Sequence, residues 1–111
     1  MTRLLGEPDE TETLALLVML EARPDRVEEL EAFLASALPL AEAEPGTVSW
    51  YALKLGPRSF GIFDTFADQG ARDAHLGGDI AKALFARADA LLAEPPTIVK
   101  PEILAGKAHH R

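Results

Sequence analysis

The chain has 111 residues, a formal net charge of −7 and no cysteine. This length is that of one ordinary domain, and the lack of cysteine excludes disulfides, thiolate nucleophiles, iron–sulfur clusters and cysteine zinc sites. Because nucleic-acid binding depends on clustered Lys and Arg, the acidic balance argues against a nucleic-acid partner.

Both ends of the chain predict tails around a single domain of residues 13–104. Residues 1–12 are acidic and polar, which indicates an N-terminal tail and no signal peptide. Residues 105–111 have little to bury and predict a mobile C-terminal tail. Its histidines, His109 and His110, lack the third ligand and rigid spacing of a metal site, so we expect no metal there.

The first half of the domain predicts a strand followed by an amphipathic helix. Residues 13–22 are almost continuously apolar, which is typical of a buried strand, but the run is too short to span a bilayer. We therefore expect a cytoplasmic protein without a membrane partner. Pro24 suits the first turn of a helix, Pro39 should kink that helix, and Gly46 should end it. Its apolar face comprises Val27, Leu30, Leu34, Leu38 and Ala41.

Three acidic runs stand in or before this region, at residues 7–12, 28–31 and 42–44. Such runs are usually solvated surface rather than cation sites. We expect all three to face solvent.

The middle of the domain predicts a β-hairpin. Residues 47–55 and 60–66 are rich in β-branched and aromatic residues, and residues 56–59 form the turn between them. Asp64 alternates in step with Phe60, Ile62 and Phe66, so these four side chains should share one face of a strand. A carboxylate in an apolar row is costly unless it finds hydrogen-bond donors or a solvated cavity, which makes Asp64 a candidate site residue.

Two helical patterns and a last strand complete the domain. Asp68 can cap a helix that carries His75 and ends at Gly77. A second helical pattern, residues 80–92, is broken by the prolines that follow it, and residues 97–104 predict the closing strand.

The predicted order is strand, helix, strand, strand, helix pair, strand. This is the split βαβ arrangement of ferredoxin-like α+β folds, a four-stranded antiparallel sheet with helices on one face. Because the strands are apolar on both faces, the uncovered face must be buried, and a second copy of the sheet is the simplest partner. We therefore predict a homodimer through the sheet faces, a dimeric α+β barrel. Trp50 and Tyr51 have opposite strand parity, so only one faces the helices, and the sequence leaves open which.

Three segments occur in an order found in a known family: Glu44-Pro45-Gly46, residues 60–75 and residues 93–96. On these motifs, from about residue 14 to residue 104, the chain resembles the antibiotic biosynthesis monooxygenase family. The resemblance implies a dimeric α+β barrel, and some members oxidise quinols or polycyclic phenols with oxygen and no metal or flavin. It carries over two positions, His75 and Arg72, both on the helix after the third strand.

The chain also departs from the family pattern. Members usually end the third strand with a glutamate, a spacer and a tryptophan, whereas this chain has Asp64, Thr65 and Phe66. Oxygenating members also use an asparagine and a tryptophan, but this chain has no asparagine and a single tryptophan, Trp50. Heme-degrading relatives carry an axial histidine where this chain offers Phe85, so the resemblance does not imply heme.

Two functional hypotheses follow. In the first, the protein is a cofactor-independent monooxygenase in which His75, with an ordinary pKa near 6.5, accepts a phenol or quinol proton while Asp64 fixes its tautomer. In the second, it is a non-catalytic homodimeric module that binds a small hydrophobic molecule, or a stress-associated protein of the same fold. Asp64 would then be a structural anchor that accepts backbone hydrogen bonds or pairs with Arg72. The expected substrate-binding residues are Ile62, Phe66, Arg72, Trp50 and Phe85, with no cofactor or metal.

Overall fold

A computed structural model describes residues 12–107, which form a four-stranded antiparallel sheet with helices packed on one face. The strands are β1 (Leu14–Glu21), β2 (Thr47–Lys54), β3 (Ser59–Phe66) and β4 (Thr97–Val99), in the order β2-β3-β1-β4. Helices α1 (Val27–Ser36) and α2 (Leu38–Glu42) connect β1 to β2, and α3 (Gln69–Leu76) and α4 (Asp79–Leu91) connect β3 to β4. The predicted ferredoxin-like α+β fold is confirmed.

The core lies between the sheet and the helices, because alternate residues of each strand point to the helix side. Asp64 belongs to this inward row of β3 and is buried with it. No helix in residues 12–107 has the length and apolar character needed to cross a bilayer. The core side chains are Leu16, Val18, Leu20, Ala22, Leu30, Leu34, Phe60, Ile62, Phe66, Leu84, Leu91 and Leu92.

The helix predicted after β1 is divided into α1 and α2 at Ala37. Pro39 stands in the first turn of α2, where a missing N–H group breaks no intrahelical hydrogen bond. The predicted kink is therefore realised as a break between two short helices.

The last strand is shorter than the predicted residues 97–104, because Pro101 has no N–H group to donate to the sheet. The chain nevertheless stays beside β1 after β4 ends. The Ala15 N–H donates to the Pro101 carbonyl at 3.0 Å, and the Ile103 N–H donates to the Thr13 carbonyl at 3.0 Å. Residues 105–107 are exposed and lie in neither a helix nor a strand.

The face of the sheet opposite the helices carries a row of apolar side chains across all four strands. Tyr51 pairs with Phe63, Phe63 with Leu17, and Leu17 with Val99, so these four residues point the same way. Tyr51 is 56% exposed and Val99 is 42% exposed. The register thus assigns Tyr51 to this face and Trp50 to the helix face. We call the four residues the outer apolar row.

Glu12 corrects two sequence-based expectations, because it is buried rather than part of a solvated tail. Its Oε1 atom accepts a hydrogen bond of 2.8 Å from Thr65 Oγ1 and one of 3.1 Å from Ser49 Oγ. These hydroxyls offset the cost of removing the carboxylate from water. Residues 1–11 and 108–111, which include His109 and His110, lie outside the described residues.

Candidate functional site

A buried histidine bridges two carboxylates between the sheet and the helices. His75 Nε2 lies 2.8 Å from Asp64 Oδ2, and His75 Nδ1 lies 2.6 Å from Glu44 Oε1. The side chains of Asp64 and His75 are 0% and 6% exposed, and that of Glu44 is 21% exposed. We call Glu44, His75 and Asp64 the carboxylate–histidine triad.

Asp64 reaches the triad because β3 alternates in direction along its length. Its contact with His75 has the length of an ion pair, although neither carboxylate oxygen has a hydrogen-bond partner of good geometry within residues 12–107. Trp50 stands directly opposite Asp64 in the β2–β3 pairing, and its Nε1 atom is likewise buried without a described partner. Because paired residues share a face of the sheet, an unsatisfied acceptor and an unsatisfied donor lie on neighbouring side chains.

His75 is held by a short helix fixed at its start. The Asp68 carboxylate caps α3 by accepting a hydrogen bond of 2.8 Å from the Ala71 N–H group. His75 follows in the last turn of α3, where the helix dipole favours a positive charge. Its ring also packs against Phe66, with ring centroids 5.3 Å apart.

Glu44 is positioned by the connection between α2 and β2. Thr47 Oγ1 donates a hydrogen bond of 2.8 Å to Glu44 Oε1, the same oxygen that faces His75. The loop also approaches α3 closely, since a Cβ atom on Gly46 would lie only 2.8 Å from the Ala71 Cβ atom. The expectation that the acidic run at residues 42–44 is solvated is therefore wrong for Glu44.

The triad favours the charged form of its histidine. Burial by itself lowers the pKa of His75, but the contacts with Asp64 and Glu44 and their charges outweigh burial and raise the pKa above its ordinary value of 6.5. Burial raises the pKa of Asp64 above its ordinary value of 3.8, against the opposing effect of His75 and with a further rise from the Glu44 charge. The raised pKa of His75 favours an imidazolium, whereas the raised pKa of Asp64 works against ionisation of that carboxyl group.

Some of the site residues expected from the sequence gather around the triad. Asp64 and His75 are in contact, and Phe66 packs on the histidine ring. Trp50 lies across from Asp64, and Ile62 is buried two positions away from it on the same face. The two side chains proposed as catalytic are thus in contact, and their catalytic roles stay a prediction.

Arg72 and Phe85 take other positions. Arg72 Nη1 donates to the carbonyls of Ala15 at 3.2 Å and Pro101 at 3.3 Å, so the alternative in which Arg72 pairs with Asp64 is wrong. Phe85 is half exposed on α4 and is not part of the packed core. Within residues 12–107, the hydrogen bonds and ion pairs of the triad involve neither Arg72 nor Phe85.

Sequence reasoning missed Glu44 as a site residue. The motif Glu44-Pro45-Gly46 predicts the end of a helix and carries the family resemblance, but the sequence alone indicates no role for its carboxylate. The signal in the sequence that could have indicated Glu44 was Gly46, because a glycine before a strand often marks a close approach of the backbone to another element. Within residues 12–107, no three His, Asp or Glu side chains are arranged to hold a metal ion.

A family model described as antibiotic biosynthesis monooxygenase matches residues 13–87, which include the whole triad. Among solved structures, the chain is similar to NE2512, a protein of unknown function from Nitrosomonas europaea. The two share 54% identity over 93% of this chain and 100% of that chain, with a TM-score of 0.90.

More distant structures show the same fold. Rv0793 from Mycobacterium tuberculosis is 22% identical over 86% of this chain and 99% of that chain, with a TM-score of 0.77. PA3566 from Pseudomonas aeruginosa is 21% identical over 88% of this chain and 100% of that chain, with a TM-score of 0.74. No curated protein matches the chain.

Proposed function

Because the chain belongs to the antibiotic biosynthesis monooxygenase family, we propose that it oxygenates a small phenol or quinol by proton removal and direct reaction with O2. The observation that carries this proposal is the contact between Asp64 and His75, two titratable side chains buried beside an indole. Buried pairs of this kind are where proteins shift pKa values toward those that acid–base chemistry needs.

The chemistry requires an apolar site that can take one proton from the substrate. In this proposal the Asp64–His75 pair receives the phenolic proton, and the phenolate then transfers one electron to O2. The resulting radical and superoxide combine to form a carbon–oxygen bond, and the peroxide takes the proton back. Loss of the ring hydrogen with the distal oxygen as water leaves a quinone, so one phenol and one O2 give one quinone and one water. An apolar surrounding favours this route because it excludes water from the reactive intermediates.

A second candidate function is binding without chemistry. It is favoured by the complete burial of the Asp64 side chain and by the engagement of both ring nitrogens of His75. A site closed in this way can stabilise the fold while the protein holds a small hydrophobic molecule without transforming it. The missing indole at Phe66 and the lack of asparagine agree with this second function.

The proposal includes a homodimer, which the outer apolar row supports. Tyr51 and Val99, at the two ends of the outer apolar row, remain substantially exposed. Burial of this face against a second copy would remove apolar surface from water at about 25 cal/mol per Å². An isologous pairing is the simplest way to do so, because the same row would serve both subunits.

Oxygen uptake with hydroquinones and naphthohydroquinols tests the enzymatic proposal, with rates corrected for autoxidation. We expect uptake above the buffer rate for the wild type, and a loss of about 10²–10⁴-fold in Asp64→Asn and His75→Ala, the usual contribution of acid–base catalysis. Glu42→Gln is the matched control, because Glu42 is exposed at the end of α2.

Two outcomes would decide between the candidates. If wild-type uptake equals the buffer rate across the panel, oxygenation of these substrates is refuted. Quenching of the fluorescence of Trp50, the single tryptophan, by the same compounds would then support the binding module. If wild-type uptake is above the buffer rate and Asp64→Asn and His75→Ala retain it in full, the assigned site is wrong.

A further inference from the structure

We propose that Glu44 is a positioning residue that holds His75 as an imidazolium between two carboxylates, which leaves Asp64 rather than His75 to receive the substrate proton. The part that concerns the substrate rests on the proposed function. The part that concerns the charge of His75 stands on the geometry of the triad alone.

The hydrogen-bonding capacity of imidazole depends on its charge. A neutral histidine has one N–H donor and one acceptor nitrogen, whereas a histidinium has two donors. His75 has a carboxylate oxygen 2.6 Å from Nδ1 and another 2.8 Å from Nε2. With both carboxyl groups ionised, either neutral tautomer would place the lone pair of one ring nitrogen against a carboxylate oxygen, so the imidazolium is the form that fits.

Glu44 is the member of the triad that decides whether His75 keeps a free lone pair. With Asp64 as the only neighbour, His75 could donate from Nε2 and keep Nδ1 as a free base. Because Glu44 Oε1 lies against Nδ1, that nitrogen is occupied as well. His75 then has no lone pair to accept a proton from a substrate, and the buried carboxylate of Asp64 is the remaining acceptor.

Glu44 lies in the α2–β2 connection, and contacts with neighbouring residues fix its position. Thr47 Oγ1 donates to the oxygen that faces His75. Two glycines allow the close approach: a Cβ atom on Gly46 would lie 2.8 Å from Ala71, and one on Gly78 would lie 3.1 Å from Glu44 Oε2.

The charged groups around His75 come from different elements. Asp64 faces it from β3 and Glu44 from the α2–β2 connection, and these are the charges that act on its ring. Arg72 on its own helix is directed to the carbonyls of Ala15 and Pro101. The single positive charge of the histidinium therefore lies between two negative charges.

The proton transfer can be written on named atoms. The O–H bond of the phenol breaks, its proton binds to Asp64 Oδ1, and the electron pair stays on the phenolate oxygen. Before transfer the triad carries a charge of about −1, from two carboxylates and one imidazolium, and afterwards it is neutral beside a phenolate. The unchanged imidazolium offsets the negative charge of that phenolate, which a neutral His75 would not do.

Nitrogen-15 NMR of the histidine rings tests the charge of His75 without any substrate. We expect both ring nitrogens of His75 to show the shifts of an imidazolium at pH 7, with the signals assigned by their loss in His75→Gln. The other two histidines, His109 and His110, serve as internal references. A neutral His75 in the wild type at pH 7 would overturn the proposal, and this measurement needs no destabilised variant.

Glu44→Gln tests the role of the second carboxylate, since it retains the shape of Glu44 and removes its charge. We expect the proton affinity of His75 to fall about tenfold or more, the usual effect of removing a neighbouring opposite charge. Glu42→Gln is the matched control and should leave the titration unchanged. An unchanged titration in Glu44→Gln would refute the role of Glu44.

Thr47→Val provides a second variant that keeps every charge and removes the hydroxyl that holds Glu44. We expect a smaller fall in the proton affinity of His75 in the same direction. An equal or higher affinity in Thr47→Val would contradict the positioning argument.

An activity measurement separates the two levels of the proposal. With a substrate that the wild type oxygenates, the lower limb of the pH profile of kcat should follow Asp64 in the wild type and shift in Glu44→Gln, where His75 can become a base. An unshifted limb would refute the assignment of the proton acceptor. A wild type without activity would refute the proposed function and, with it, the proton-acceptor role, while the NMR titrations would still decide the charge of His75.

Discussion

Replacement of His75 by alanine should reveal how much the buried charge of Asp64 costs. The variant removes the cation from a carboxylate whose side chain is fully buried, and breaking a buried ion pair typically costs about 3–5 kcal/mol. The protein can limit this cost by protonating Asp64. Starting from its ordinary pKa of 3.8, protonation at pH 7 costs about 4 kcal/mol, at 1.36 kcal/mol for each pH unit.

The same reasoning gives the pH dependence of the variant. At pH 5 the cost of protonating Asp64 is only about 2 kcal/mol, so His75→Ala should gain about 2–3 kcal/mol of stability between pH 7 and pH 5. The wild type also gains stability over this range through the raised pKa of His75, so the deficit of the variant should shrink by less than that gain. The stabilisation by His75 is complete below pH 6.5 and is lost as the pH rises through the pKa of the folded state. The raised pKa of Asp64 adds an ionisation cost as the pH rises above 3.8.

Urea denaturation at both pH values, at one fixed protein concentration, measures these free energies of unfolding. The control is the double variant Asp64→Asn/His75→Ala, which has the same cavity beside Phe66 but no carboxylate at residue 64. It should be more stable than His75→Ala at pH 7 and nearly independent of pH between 5 and 7. A loss of less than about 1 kcal/mol in His75→Ala at pH 7 would contradict a high cost for the buried charge of Asp64. A double variant no more stable than His75→Ala would contradict it as well.

Two further predictions concern the Gly46 contact and the outer face of the sheet. Gly46→Ala should lose about 1–3 kcal/mol in urea denaturation, because its new methyl group meets Ala71 at 2.8 Å, whereas Gly56→Ala, with no atom nearer than 3.8 Å, should be nearly neutral; equal effects would contradict the close approach. Tyr51→Glu should convert the proposed dimer to a monomer by light scattering at micromolar concentration, while Leu38→Glu, similarly exposed on a helix, should not; a monomeric wild type would end the dimer proposal.

The local pattern of the sequence was sufficient to find two members of the triad. Strand alternation placed Asp64 in the inward row of β3, and the helical spacing placed His75 on the next element. These two positions are separated by a short stretch of chain, so the turn from β3 to α3 brings them together. The fold was predictable for the same reason, since each element has a clear period and clear ends.

Glu44 could not be found in this way, because its contact with His75 spans 31 positions and depends on how the α2–β2 connection meets α3. Taken alone, an acidic run predicts exposure to solvent. Only tertiary packing brings Glu44 against His75 instead. The sequence also could not show which side of the sheet Trp50 and Tyr51 occupy, for a similar reason. A register irregularity between Thr47 and Ser49 in the β2–β3 pairing lies just before them, and such shifts are not visible in the hydrophobic period.

The way in which α3 is fastened has a consequence for its motion. An eight-residue helix is marginal in isolation, and here it is held by its Asp68 cap, by the Arg72 contacts in its middle and by His75 in its last turn. Loss of the charge on His75 would weaken the attachment at one end and leave the other two in place. Local opening of α3 should therefore begin at its C-terminal end, beside Asp64.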